Sequence, residues 1–126
     1  MAAAVADYKP VEVATTKIKK SEKELTLTLT KTPDIAAELG KLKKNGQILV
    51  GFALETNNEI ENAKNKLESK NLDLIILNSL QDPGAGFGHD TNKVQIIDRN
   101  SIQKFELKTK KEVAKDIVDA IVKKLH

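Results

Sequence analysis

The chain has 126 residues, enough for one ordinary domain, with 40% apolar, 31% charged and 3% aromatic residues and a formal net charge of +3. That balance excludes a disordered or fibrous chain and offers none of the strong basic stripe that nucleic-acid binding asks for. With no cysteine there can be no disulfide and no thiolate nucleophile. His89 and His126, the two histidines, cannot build a structural zinc site.

In chain order, Met1–Ala6 reads as the end of a buried strand, with a turn over Asp7–Pro10 and a lysine-rich polar stretch over Val11–Lys23. Leu25, Leu27 and Leu29 alternate with Thr26, Thr28 and Thr30, the pattern of a strand from Glu24 to Thr30 with one apolar face. Thr32-Pro33-Asp34 predicts a helix start. Thr32 serves as cap, Pro33 as first helical residue and Asp34 at the positive end of the dipole, and the helix runs to about Lys44 and stops at Asn45-Gly46. Ile48–Ala53 is a near-continuous apolar run, as expected of a strand covered on both faces.

Thr56 and Glu59 have the spacing of a capping box for a second helix, with Ile60, Ala63 and Leu67 as its buried stripe and Asn71 as a left-handed cap. Leu72–Leu77 is another buried strand, and a glycine-rich loop follows over Asn78–Asn92. Val94–Ile97 and Ile102–Leu107 suggest a hairpin turning at Arg99-Asn100. Thr109 with Glu112 caps a last helix whose core face is Val113, Ile117, Ala120 and Ile121. Alternating strands and helices give an α/β class: a Rossmann-like three-layer sandwich with a mostly parallel sheet, incomplete at its N-terminus, plus a hairpin or lid segment.

Ligands of such sheets bind beyond the carboxyl ends of the strands, which points to Asp7–Lys20, Phe52–Asn57 and Asn78–Asn92. Asp7 follows a buried strand, where a carboxylate can meet a ligand hydroxyl or serve only as a turn residue. Lys66 and Lys70, one helical turn apart, are either a solvated face or two ammonium groups converging on a polyphosphate. Gly84, Gly86 and Gly88 match no dinucleotide or P-loop fingerprint, because a strand rather than a helix follows them.

Several motifs in order carry a resemblance: Ala2-Ala3-Ala4-Val5-Ala6-Asp7-Tyr8-Lys9-Pro10, Lys17-Ile18-Lys19-Lys20, Thr32-Pro33-Asp34-Ile35, Val50-Gly51-Phe52-Ala53-Leu54-Glu55-Thr56, Asn71-Leu72-Asp73 and Gly86-Phe87-Gly88-His89-Asp90-Thr91-Asn92. Together they resemble the phosphopantothenate–cysteine ligase family over nearly the whole chain. In bacteria that ligase is usually the C-terminal half of a bifunctional protein of coenzyme A biosynthesis, whose other half is an FMN-dependent decarboxylase absent from this chain.

The resemblance implies ligation of 4′-phosphopantothenate with cysteine by CTP and Mg2+ through an acyl-cytidylate. ATP, as in eukaryotic relatives, is the alternative nucleotide. By position it assigns Asp7, Lys17, Pro33, Asp34, Ile35, Ala36, Phe52, Lys66 and Lys70 to the nucleotide, with Lys17 also catalytic in a mobile lid, and Ala3 and Ala4 beside the substrate. No protein metal site is implied. It also implies a cytoplasmic homodimer with neither a nucleic-acid nor a membrane partner.

Thr32 stands where the family usually has Asn, and Leu54 where it has Ala. The family's opening glycine-rich strand–turn and its Ile-Ser-Asn and Ser-Ser-Gly-Lys motifs are not among these residues. The expectation is therefore a piece of the ligase domain, inactive unless the rest is supplied. The reading from another class is a small basic dimerisation or nucleic-acid-binding module.

Overall fold

The computed structural model describes residues 5–18, 25–79 and 88–125. They divide into two compact units, residues 1–35 and 36–126.

In the first unit β1 (Tyr8–Pro10) pairs antiparallel with β2 (Leu29–Lys31), Tyr8 opposite Lys31 and Pro10 opposite Leu29. The expected turn over Asp7–Pro10 is therefore a strand. Pro10, which has no N–H to give, is tolerated because β1 pairs with β2 alone and is an edge strand. Of the strand expected over Glu24–Thr30, Leu29 and Thr30 are in the ladder, and the Thr28 carbonyl accepts the Val11 N–H at 3.0 Å. Glu24 lies outside the described residues, and Leu25–Thr28 are exposed and outside the ladder. Met1–Ala4 also lie outside the described residues; Val5 and Ala6 are exposed.

The helix α1 (Ile35–Leu42) starts later than Thr32-Pro33-Asp34 suggested. Thr32 is already occupied: its hydroxyl donates to the Ala6 carbonyl at 2.6 Å and its N–H to the Asp7 carbonyl at 2.9 Å. Those bonds extend the β1–β2 pairing by a step and hold Thr32 to the strand, and the first helical residue is Ile35 rather than Pro33. The helix ends before Asn45-Gly46 as expected, with Gly46 at φ +82°, which glycine adopts without steric cost.

The second unit is built on a four-stranded sheet in the order β3 (Val50–Glu55), β4 (Leu74–Ser79), β6 (Val94–Ile97), β7 (Ile102–Lys104). β3 and β4 are parallel, Val50 opposite Leu74 and Glu55 opposite Ser79, and α2 (Glu59–Ser69) forms the crossover between them. β6 and β7 add an antiparallel hairpin. Its turn is tied by Asp98, whose Oδ1 accepts from the N–H groups of Asn100 (2.8 Å) and Ser101 (2.6 Å). Burial pushes the Asp98 carboxyl up, but these bonds and Lys124 Nζ at 3.1 Å outweigh it and hold it below the usual carboxylate range.

Alternation along the strands sorts the core into two layers. Ala53, Ile75, Leu77 and Ile97 face α2 and pack with Ala63, Leu67 and Leu72. Leu74, Ile76, Val94 and Ile96 face the other way and pack with Val113 and Ala120 of α3 (Lys110–Leu125), flanked by Ile117 and Ile121. Helices thus cover both faces of one sheet, the expected three-layer arrangement. Beside α3, β5 (Thr91–Asn92) and β8 (Lys108–Thr109) form a short antiparallel pair that leads directly into it.

The two predicted capping boxes have different outcomes. At α3 the Thr109 hydroxyl accepts from Glu112 N–H at 3.3 Å, and Glu112 Oε2 accepts from Thr109 N–H at 3.0 Å and from its hydroxyl at 2.6 Å. The Thr109 hydroxyl and N–H hold the Glu112 carboxyl below its ordinary range. At α2 the cap position falls on Asn58 rather than on Thr56. The helix begins one residue after Asn58, which sits in the left-handed region at φ 45° and makes no side-chain cap, so Glu59 is the first helical residue rather than the third. Asn71 is left-handed at φ 50°, as its place after α2 suggested.

Candidate functional site

The carboxyl ends of β3 and β4 meet at Glu55 and Ser79, and the chain turns over Thr56–Asn58 into the first turn of α2. A recess of about 370 Å³ opens there, lined by Thr56, Asn57, Asn58, Glu59, Ile60, Glu61 and Gln95. Gln95 lies on the α2 face of β6, opposite Leu77. Its Oε1 is buried without a hydrogen-bond partner.

Glu55 organises this end of the sheet. It is the last residue of β3 and shares the α2 face with Ala53. Its Oε1 accepts from Lys66 Nζ at 2.5 Å and its Oε2 from Asn62 Nδ2 at 3.3 Å, and the same Asn62 amide donates to the Asn57 carbonyl at 2.9 Å. One carboxylate thereby joins the strand end, the loop and two turns of the helix. On the other face, Asn92 Nδ2 donates to Asn78 Oδ1 at 3.0 Å and ties the start of the β5–β6 segment to β4.

The residues assigned to the nucleotide fall into separate groups. In the first unit, Asp7 lies beside Pro33 and Asp34, because the Thr32 N–H donates to the Asp7 carbonyl. Asp7, Lys17, Pro33, Asp34 and Ile35 are all exposed. Pro33 and Asp34 precede α1, and Ile35 and Ala36 supply its first two residues.

In the second unit Lys66 is at the carboxyl end of β3 through Glu55. Lys70 is one turn further along, at the C-terminus of α2, where its backbone N–H donates to the Lys66 carbonyl and the Asn71 N–H to the Glu68 carbonyl. Because α2 runs back along the sheet between two parallel strands, that turn carries Lys70 toward their amino ends.

Phe52 is 68% exposed and pairs with Ile76, on the α3 side of the sheet, whereas both lysines belong to the helix on the opposite side. The structure therefore does not place Phe52 and the lysine pair on one face. β3 is the outer strand among the described residues, so a molecule touching both must reach around its edge. Ala3, Ala4, Gly84 and Gly86 lie outside the described residues.

Glu55, Asn62 and Gln95 were not singled out from the sequence. Glu55 stood only within a motif of the resemblance, and a polar residue in the strand Val94–Ile97 carries no signal of what it will face.

The family model for the DNA/pantothenate metabolism flavoprotein C-terminal domain matches residues 1–125. The chain belongs to this family. A cysteine/cysteine sulfinic acid decarboxylase from an unknown prokaryotic organism is 60% identical over 100% of this chain and 35% of its own length. The coenzyme A biosynthesis bifunctional protein CoaBC of Haemophilus influenzae is 46% identical over 97% of this chain and 30% of its own.

Among solved structures, the C-terminal domain of a CoaBC protein superposes with a TM-score of 0.70 at 37% identity, over 94% of this chain and 50% of that one. This member of the family thus spans about a third of the length of those curated relatives and half of that solved chain. No helix among its described residues is long and apolar enough to cross a membrane.

Proposed function

We propose that the chain is part of a phosphopantothenate–cysteine ligase of coenzyme A biosynthesis that activates its substrate with CTP. Membership of the family over residues 1–125 carries this reading, supported by 46% identity to a CoaBC protein. A carboxylate resists attack by an amine, so the reaction needs a leaving group. The carboxylate of 4′-phosphopantothenate attacks the α-phosphate of CTP and pyrophosphate departs. The cysteine amine then attacks the acyl-cytidylate, forming the amide and releasing CMP. Such chemistry asks the protein for positioning and for cations around the polyphosphate.

Lys66 and Lys70 are suited to the phosphates, Phe52 to an apolar contact with the nucleotide, and the backbone amides of Ile35 and Ala36 at the start of α1 to polar ligand atoms. Asp7 and Lys17 belong to the same proposal on the first unit. Mg2+ arrives on the triphosphate in this scheme. Among the described residues no three His, Cys, Asp or Glu side chains converge on a common point. The reaction is proposed for the whole protein, to which this chain supplies nucleotide contacts.

Thermal unfolding with CTP and Mg2+ tests the reading. A ligand present at about 100 times its Kd stabilises the folded state by about 2.7 kcal/mol. CTP is expected to raise Tm by several degrees and ATP by much less, and Lys66→Ala to abolish most of the CTP shift. Equal shifts with ATP remove the CTP preference. No CTP response, together with salt-sensitive stabilisation by DNA, favours the nucleic-acid module instead.

A homodimer is the second part of the proposal. Leu25, Leu27 and Leu29 are each more than half exposed, an apolar row that a second copy of the chain would cover. Light scattering on a size-exclusion column is expected to give the mass of a dimer for the native chain and of a monomer for Leu27→Asp. A native monomer at about 0.1 mM, well above the Kd of a dimer in the micromolar range, sinks the dimer.

A further inference from the structure

We infer that Glu55 is a positioning residue for nucleotide binding: it holds the Lys66 ammonium at the carboxyl end of β3, ready for a polyphosphate. The inference rests on the reading of Lys66 as a phosphate contact. It adds a residue to which no role has been assigned, and it starts from the asymmetry of the pair. The Glu55 side chain is 12% exposed and the Lys66 side chain 44%, so the carboxylate lies beneath and the ammonium above it.

Glu55 is itself fixed on three sides: by the end of β3, by the Asn62 amide, and through Asn62 by the Asn57 carbonyl. Lysine has a flexible four-carbon stem and three N–H donors. Giving one donor to a carboxylate that Asn62 also holds restricts the stem and leaves the ammonium on the more exposed side. The ordering of a long side chain is then partly complete before the ligand arrives, which is the usual source of affinity through preorganisation.

An opposing effect must be weighed. A carboxylate near a triphosphate repels it, and on that ground alone removing Glu55 would tighten CTP binding. The geometry favours the positioning effect, because the buried partner is the anion and the exposed partner the cation. An approaching phosphate meets Lys66 first, with the Glu55 charge already offset by its 2.5 Å bond to that lysine. Asn62 adds a donor to the same carboxylate.

Isothermal titration of the native chain, Glu55→Ala, Glu55→Gln, Lys66→Ala and the Glu55→Ala/Lys66→Ala pair with CTP and with CMP tests this. CMP has no polyphosphate and should not sense Lys66. Glu55→Ala is expected to weaken CTP about tenfold and CMP less than twofold. Glu55→Gln, which keeps the shape and one acceptor oxygen but not the charge, is expected to weaken CTP about threefold, and it carries the test should Glu55→Ala not fold. In the Lys66→Ala background the loss of Glu55 should cost CTP nothing further.

Equal losses for CTP and CMP identify a merely structural role and overturn the inference. So does a Glu55→Gln variant that binds CTP as tightly as the native chain or more tightly while Lys66→Ala binds weakly; in that case only the role of Glu55 falls. A native chain that does not bind CTP, or a Lys66→Ala variant that binds it undiminished, overturns the reading of Lys66 and this inference with it.

Discussion

Replacing Gly40 with alanine is expected to destabilise the second unit by about 2–4 kcal/mol, more than its one added methyl would suggest. Gly40 is the buried residue of α1. A Cβ built there would stand 2.0 Å from the Lys70 carbonyl oxygen and 2.8 Å from the Lys70 carbonyl carbon. Both are backbone atoms, so no rotamer change relieves the clash. The contact is also tied from the other side, because Asn71 Nδ2 donates to the Gly40 carbonyl at 2.9 Å.

Alanine is the better helix former by about 1 kcal/mol, which offsets part of the cost. The steric term still wins, since two helix segments must separate by more than an ångström. At Gly51 a Cβ would instead meet Leu72 Cδ1 at 2.6 Å, the end of a side chain that can turn away, so Gly51→Ala should cost clearly less. Urea unfolding of the two variants decides the matter, and a Gly40→Ala midpoint equal to that of the native chain defeats the argument. The substitution also pushes on Lys70, so the CTP-induced rise in Tm should shrink with it.

Asp73→Ala is the other large effect, at about 2–3 kcal/mol. Both oxygens of Asp73 accept from Lys43 Nζ at 3.0 Å, and Oδ2 also accepts the Leu49 N–H at 2.7 Å. The Asp73 N–H returns a bond to the Leu49 carbonyl at 2.8 Å, and Lys43 Nζ donates to the Asn71 carbonyl at 2.8 Å. These bonds set the register at which β3 and β4 begin.

The Lys43 side chain is only 14% exposed, so removing the carboxylate leaves an ammonium without its counter-charge, held by the Asn71 carbonyl alone, where water reaches it poorly. Breaking a fully buried pair costs about 3–5 kcal/mol. Asp73 is 30% exposed, and solvent screening lowers the figure. Lys43→Met should cost less, because Asp73 keeps the Leu49 N–H and its contact with solvent. Chemical unfolding that finds Asp73→Ala within 0.5 kcal/mol of the native chain, inside the ordinary scatter of surface substitutions, contradicts this account.

Local chemistry was legible wherever the deciding partners are close in sequence. The apolar runs at Ile48–Ala53 and Leu72–Leu77 became parallel strands, but only the second is covered on both faces: β3 is the outer strand among the described residues and leaves Phe52 and Leu54 exposed. Asn71 took the left-handed cap, the hairpin turned at Arg99-Asn100, and Thr109 with Glu112 closed its capping box. Partners distant in sequence overrode local signals elsewhere. Thr32 had the residue type and spacing of a helix cap, yet the Ala6 and Asp7 carbonyls, 26 and 25 residues away, claimed its hydroxyl and N–H. Thr56 and Glu59 had the spacing of a box, but the chain bends at Asn57-Asn58 and starts the helix later.

The site divides in the same way. Lys66 and Lys70 could be placed on one helix by their spacing, and Phe52 on a strand by its neighbours. That Phe52 faces α3 while the lysines ride on α2 depends on which face each helix covers, and no pattern within Val50–Glu55 carries that information.

The sequence by itself determined the α/β class, the periodicity of the strands and helices of the second unit, and the family. Residue type and spacing act within a few positions, and the ordered motifs need no coordinates to be matched. Only the tertiary structure decided that Gly40 must stay bare under the Lys70 carbonyl, that Glu55 grips Lys66, and that Phe52 lies across the sheet from both lysines. Each of those facts relates residues at least 11 positions apart, brought to their places when apolar faces are buried on both sides of one sheet.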